Sequence, residues 1–218
     1  MHALKRPLHA GRRGLDPCVS QEDATRLLDA ARDTRDEALI TLALRTGMRQ
    51  GELAALRWED LDLDGPRPSI MVCRSADTRT KTVITPTKTG EERIVGIGPR
   101  TVEVLKTHRA RQLEERMAAT SWEDPGWVFP NTRGKVRRRC DSVMRSLRGL
   151  LREAGLPADV RFHDLRHTAG THALGRGRPI HEVSKMLGHS DPAMTLRRYA
   201  HVLDDMRDET ARTMDELF

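Results

Sequence analysis

A chain of 218 residues with 37% hydrophobic content is long enough to bury a core of its own, which excludes a disordered polymer. Its formal net charge of +6 is carried by 32 arginines and only 6 lysines, a bias that favours a polyanionic partner because a guanidinium grips two phosphate oxygens at once. Cys18, Cys73 and Cys140 are odd in number, far apart and without a CxxC pair, so a disulfide frame or cysteine zinc site is excluded and a reducing cytoplasm fits.

Residues 1–16 (MHALKRPLHAGRRGLD) read as a basic arm or linker remnant without signal-type apolar character. Ser20 followed by Asp23 marks a helix start, and Ala24, Leu27, Leu28 and Ala31 give a buried stripe. A second helix covers about 35–45, Thr46-Gly47-Met48 breaks it, and a short third helix over 50–56 leaves Arg49 at the junction. Between 69 and 97 the runs SIMVC, KTVIT and RIVGI predict three antiparallel strands, with Lys88 near the tip of the turn joining the last two. Helices return at about 99–119 and 137–153. The expected fold class is therefore mainly α with a small three-stranded antiparallel sheet (α+β). No stretch approaches the roughly 20 apolar residues of a membrane span.

The C-terminal stretch from His163 to Tyr199 carries most of the chemistry. His163 and Arg166 lie three apart where a helix begins, and Leu165, Ala169 and Ala173 suit a core-facing side. A helix over 180–187 is closed by Gly188, the residue type that most readily takes the left-handed conformation. His189 then falls on a turn. Ser190 or Asp191 can cap the next helix, Pro192 is pre-set for its first position, and Tyr199 follows about two turns on as the only tyrosine of the chain.

Three patterns compete for the chemistry. WEDLDLDG places Asp60, Asp62 and Asp64 at alternate positions as in a calcium loop, but Met71 stands where a bidentate Glu is needed, and Pro66 and Pro68 fall inside; an acidic turn is the better reading. His163-Asp164-Leu165-Arg166-His167 has the two-histidine spacing of a zinc hydrolase with Asp for Glu, yet Arg166 would repel a dication, and spacing places no third ligand, although His172, His181 and His189 are available. The third pattern takes Arg49, Lys88, His163, Arg166, His189 and Tyr199 together as a phosphoryl-transfer site. In-line attack on a phosphodiester builds negative charge on the non-bridging oxygens, and without a metal fixed cations must meet it. Two arginines suit that task. Tyrosine has a pKa of about 10, so forming its phenolate at pH 7 costs roughly 4 kcal/mol unless a base such as His163 or nearby cations help. Lys88 could protonate the leaving alkoxide, and His189 could hydrogen-bond a phosphate oxygen. Lys135 with Arg137, Arg138 and Arg139 forms a basic run that is either a solvated face or a track along a DNA backbone.

The segments TGMRQGELAAL with Arg49, TKTGEERIV with Lys88, HDLRHTAGTHAL with His163 and Arg166, LGHSD with His189, and TLRRYAHV with Tyr199 resemble the successive signatures of the tyrosine recombinase (phage integrase) family over about residues 17–205. The resemblance implies a site-specific recombinase or integrase catalytic domain. Tyr199 would be the nucleophile, forming a 3′-phosphotyrosine link and freeing a 5′-hydroxyl. Arg49 and Arg166 would hold the scissile phosphate, Lys88 would be the general acid, His163 and His189 would assist, and Glu52 would brace Arg49. No metal or nucleotide cofactor is implied.

The resemblance divides the chain into the arm 1–16, a catalytic domain 17–203 and an amphipathic tail helix 204–218, in which Val202, Leu203, Met206, Thr210, Met214 and Leu217 fall near one face of the end of the chain. Relatives usually carry a helical DNA-clamping domain ahead of this one, and it is expected to be absent here. The partner expected is double-stranded DNA in the cytoplasm, with a tetramer on DNA built by tail exchange and a monomer free in solution. The alternatives are a DNA-binding recombinase fragment without full strand exchange and, less favoured, a zinc-dependent hydrolase.

Overall fold

The computed structural model describes residues 18–77, 82–84, 92–123, 126–137, 143–189, 191–205 and 215, with 82–84, 192 and 201–205 described by backbone alone. The arm, Lys88, Arg138, Arg139 and nearly all of the tail lie outside these residues. Helix α1 (Gln21–Ala31) begins as the sequence predicts: the Ser20 hydroxyl accepts from the Asp23 amide at 3.0 Å, and Leu27 and Ala31 are buried. Helix α2 (Glu37–Thr46) is apolar on every side and buried from Ala38 to Leu44, the signature of a central helix. It packs against α1, against α4 (Pro99–Ala118) and against α6 (Phe162–Gly175). Helix α5 (Met144–Glu153) closes the same core with Leu147, Leu150 and Leu151. Among the described residues no helix is long and apolar enough to cross a membrane.

The fold is mainly helical with a three-stranded antiparallel sheet, as expected, but one strand is not the one expected. Strands β1 (Leu61–Asp62), β2 (Ser69–Val72) and β5 (Arg93–Gly96) form the sheet in the order β1-β2-β5. The KTVIT run supplies β4 (Thr82–Ile84), which pairs instead with β3 (Ser75–Asp77) in a separate two-stranded ribbon. The chain leaves the first sheet at Cys73-Arg74, where Asp60 holds both residues through the Cys73 thiol and the Arg74 guanidinium. In the sheet proper, Ile70, Val72 and Val95 face the core while Met71 and its partner Ile94 face out. The same alternation turns Arg93, two residues before Val95, inward.

The acidic turn is confirmed in kind. Asp60 accepts from the Arg57 amide at 2.9 Å, Asp62 from the Gly65 amide at 2.8 Å, and Asp64 pairs with Lys106, so the three carboxylates serve three separate partners. The basic run is corrected at Arg137. Its side chain is buried and forks onto Asp36, with Nη2 3.1 Å from Oδ2, while the Ser146 hydroxyl donates to the same carboxylate. Burial alone would raise the Asp36 carboxyl, but Arg137 and Ser146 hold it below the usual range. Arg137 is thus an internal tie to the start of α2, through the Asp36 carboxylate that Ser146 of α5 also reaches, and not a surface contact; a burial-blind reading of three consecutive arginines could not distinguish it. Lys135 is on the surface beside Glu123 at 2.7 Å.

Removing one partner of a buried pair leaves the other charge stranded. Arg137→Met is expected to lower the unfolding free energy by about 3–5 kcal/mol in urea titrations at pH 7; a loss no larger than that of a surface arginine would show the pair to be dispensable.

Candidate active site

Three chain breaks converge to build the site. At the first, α2 ends on Gly47, and Arg49 becomes the N-cap of α3 (Gln50–Ala54). Glu52, one turn into α3, reaches back to accept from the Arg49 amide at 2.8 Å and from its Nη1 at 2.9 Å. At the second, α7 (Ile180–Leu187) ends on Gly188 in the left-handed conformation, φ 67°. The Gly188 carbonyl accepts from Arg49 Nη2 at 2.8 Å. A third break lies inside α8 (Pro192–Asp205), where Tyr199 leaves helical geometry at φ −111° and ψ 16°. The helix starts as anticipated, with Asp191 accepting from the Ala193 amide at 2.8 Å.

Glu52 is the buried hub of this arrangement, 2% exposed. Besides Arg49 it receives the whole fork of Arg93, Nη1 to Oε1 at 3.0 Å and Nη2 to Oε2 at 2.6 Å. Burial would raise its carboxyl, but Arg93 and then Arg49 outweigh that and hold it below the usual range, so it stays ionised. Arg93 also donates through Nε to the Met186 carbonyl at 3.0 Å, tying β5 to the end of α7.

Arg166 rises from α6 into the same region, buried, with Nη1 donating to the Gly47 carbonyl at 2.6 Å. Burial, with Arg49 and Arg93 adding to it, brings Arg166 down to about 9, so it remains a cation at neutral pH. Among the described residues no carboxylate sits on it alone: Arg49 and Arg93 bond Glu52 and Arg166 feels it at longer range, so these three arginines keep an excess of two positive charges over it. His189 follows Gly188, its Nδ1 2.5 Å from the buried Thr195 hydroxyl of α8. Burial, then Arg166, Arg49, Arg198 and His167, push it down to about 4. It is therefore neutral at pH 7.

Tyr199 is 2% exposed and packs with Leu174, Val183 and Leu187 in a small apolar cluster of α6, α7 and α8. Its hydroxyl stands over Gly170, one turn along α6 from Arg166, and a methyl at Gly170 would overlap it, lying 2.7 Å from ring carbon Cζ. The His167 ring lies 6.4 Å from that of Tyr199 and meets the exposed His163 edge-on at 4.5 Å. Arg198, beside the tyrosine, donates to His167 Nε2 at 3.1 Å. Among the described residues no third His, Cys, Asp or Glu joins the two histidines in a group able to hold a metal ion.

The structure thus gathers Arg49, Glu52, His163, Arg166, His189 and Tyr199 into one neighbourhood and sets Lys135 and Arg137 elsewhere; Lys88, Arg138 and Arg139 lie outside the described residues. Sequence reasoning missed Arg93, whose inward register in β5 was the available signal, and gave His167 only a part in the discarded zinc pattern.

Two measurements test this geometry. A single buried tyrosine should resist nitration by tetranitromethane, and Gly170→Ala, by displacing the ring, should speed it; equal rates would refute the close approach. For His189 the unfolded imidazole titrates near 6.5 and the folded one near 4, so between these values the unfolded chain binds the extra proton and stability falls as the pH drops. The stability difference between the wild type and His189→Asn should accordingly shift against the wild type from pH 7 to pH 4.5 in denaturant titrations, and a constant difference would contradict a neutral, buried imidazole.

Comparison with known proteins gives the same arrangement a family. Residues 18–206 match the Phage integrase family. The chain is 31% identical to the tyrosine recombinase XerC-like protein of Caldanaerobacter subterraneus subsp. tengcongensis, over 91% of this chain and 54% of that one. It is 34% identical to an integrase of Streptomyces ambofaciens, over 89% and 52%. The chain spans about half the length of these curated relatives. Its fold is similar to the crystal structure of XerA recombinase, with a TM-score of 0.68 at 28% identity, covering 91% of this chain and 66% of that one. It also superposes on the Tn1549 transposon integrase in complex with circular intermediate DNA, with a TM-score of 0.73 over 94% and 68% of the two chains; at 21% identity that match speaks for the fold alone. On the family match along most of its length, the chain belongs to the phage integrase family.

Proposed function

We propose that this chain carries the catalytic domain, over residues 17–203, of a metal-independent DNA strand transferase that cuts and rejoins double-stranded DNA through a 3′-phosphotyrosine. The observation that carries the reading is the convergence of Arg49, Arg166 and neutral His189 on the region of the buried Tyr199 with two positive charges in excess. Such a site is short of an anion. A phosphodiester supplies it, and the cost of burying Arg166 falls as its oxygens enter.

In the reaction the Tyr199 oxygen attacks the scissile phosphorus, the new oxygen–phosphorus bond forms, and the bond to the 5′ oxygen breaks. Arg49 and Arg166 meet the charge that develops on the non-bridging oxygens. Thr195 donates its hydroxyl proton to His189 Nδ1, which fixes the tautomer that offers Nε2–H to the phosphate. His163 takes the phenol proton, and Lys88 protonates the departing 5′ oxygen. The phosphotyrosine conserves the bond energy, so the free 5′-hydroxyl of a second strand reverses the step without a nucleotide. The Tyr199 hydroxyl, seated over Gly170, must swing out first, and the break in α8 at that residue gives it a place to turn. The Tn1549 transposon integrase that this fold matches was solved in complex with circular intermediate DNA, and the XerH recombinase bound to its palindromic difH substrate. On DNA the tail beyond residue 203 docks on a neighbouring protomer to form the tetramer, while the free chain is a monomer; sedimentation of the DNA complex with and without residues 204–218 reads this.

The test incubates the chain with a pool of nicked duplexes of randomised sequence, so that the strand beyond the cut diffuses away and the intermediate is trapped. A covalent protein–DNA adduct on a denaturing gel, insensitive to chelator and lost in Tyr199→Phe, is expected. Arg49→Ala and Arg166→Ala should each slow it by about 10²–10³-fold. DNA retention without an adduct would identify a binding fragment, and cleavage without an adduct that chelator abolishes would return the hydrolase.

A further inference from the structure

Arg93 is not among the residues that the strand-transfer reading uses, yet it touches two of the elements that hold them. Its strand register turns it inward beside Val72, and its side chain is only 12% exposed. Each of its three guanidinium nitrogens already donates inside the fold, Nε to Met186 and the fork to Glu52, so it is committed to the protein and not to a substrate. The guanidinium lies flat on Gly188: a methyl there would stand 2.7 Å from Nη1 and 2.8 Å from Cζ. Gly188 in turn accepts from Arg49. Arg93, Glu52, Arg49 and Gly188 therefore close a ring that joins β5, α3 and the end of α7.

We propose that Arg93 is a positioning residue of the strand-transfer site, setting the Arg49 guanidinium through Glu52 and the turn that carries His189 through Met186 and Gly188. The inference rests on the reading of the previous subsection. The physical argument is one of competition for a carboxylate. With Arg93 forked onto both oxygens, Arg49 takes a single side-chain bond to Oε1 and leaves its other arm on the Gly188 carbonyl. Without Arg93, the buried carboxylate has only Arg49 in contact and the more distant Arg166 facing it. It either draws the Arg49 fork wholly onto itself or takes up a proton, and in both cases Arg49 leaves its place. Lysine cannot substitute, because one ammonium cannot supply a planar fork and a third, divergent donor.

The experiment measures the rate of adduct formation on the nicked duplexes that the wild type selects from the randomised pool, across pH 5.5 to 8.5, with thermal melting of each variant. Arg93→Met should slow the reaction on the order of 10²-fold, as expected when a phosphate-holding group is misplaced by about an ångström. Arg93→Lys should restore only part of that loss. In the Arg49→Ala background, adding Arg93→Met should cost clearly less than it does in the wild type, since one of the two groups it positions is gone. Arg93→Met should also lose rate toward acid more steeply than the wild type, as Glu52 gains its proton at higher pH, and Glu52→Gln should abolish that added decline; a residue that merely supported the fold would move neither readout. If Arg93→Met melts below the assay temperature, Arg93→Lys takes its place in every arm. Wild-type rates in both Arg93 variants, or penalties that multiply in the double variant, overturn the inference. A wild-type chain that forms no adduct overturns the reaction itself and this inference with it, so the two failures are told apart by the wild-type arm.

Discussion

One buried carboxylate, that of Glu52, governs where the positive charge of the site is held. Three arginines brought together in a poorly hydrated space repel one another, and each loses hydration that only an anion or a set of carbonyls can replace. Glu52 supplies the anion, and the carbonyls of Gly47, Met186 and Gly188 supply most of the rest. These carbonyls are free because they belong to helix ends, where the last turn has no amide to give them. The chain breaks that look like interruptions of the helical fold are therefore what allows the guanidiniums to be buried and aimed. Glu52 neutralises one charge of three, so the cluster stays electropositive after it has been made stable enough to fold.

The tyrosine is handled by the opposite means. Its ring is placed among Leu174, Val183 and Leu187, and its hydroxyl rests where α6 has no side chain, at Gly170. Burial keeps the nucleophile away from solvent while the cations stand ready beside it. The break in α8 at Tyr199 separates the helix into a part that carries Thr195 against His189 and a part that continues to Asp205. A bend there costs less than bending an unbroken helix, because the ladder of backbone bonds is already interrupted at that point.

Much of this was legible in the order of residues. Capping chemistry located Ser20, the glycine after α7 located the turn of His189, and the break at Thr46-Gly47-Met48 placed Arg49 at a helix start, because local rules decide such points with little help from the rest of the chain. Long-range pairing was not legible. Leu61–Asp62 is too short to announce itself as a strand, and the KTVIT run has the same β-branched texture whichever neighbour it chooses. Arg137 read as surface because three arginines in a row usually are, and only the position of Asp36, a hundred residues away, makes one of them internal. Arg93 was hidden for a related reason: its inward parity was visible, but the carboxylate that makes an inward arginine tolerable lies on another element.

The solitary tyrosine has a practical consequence. With one such residue in 218, a fluorinated analogue fed during expression enters at a single position, and its nuclear resonance needs no assignment. Neutral phenol, phenolate and ester would each give a separate line, so the fate of that oxygen can be followed in the intact molecule as the helix beneath it bends.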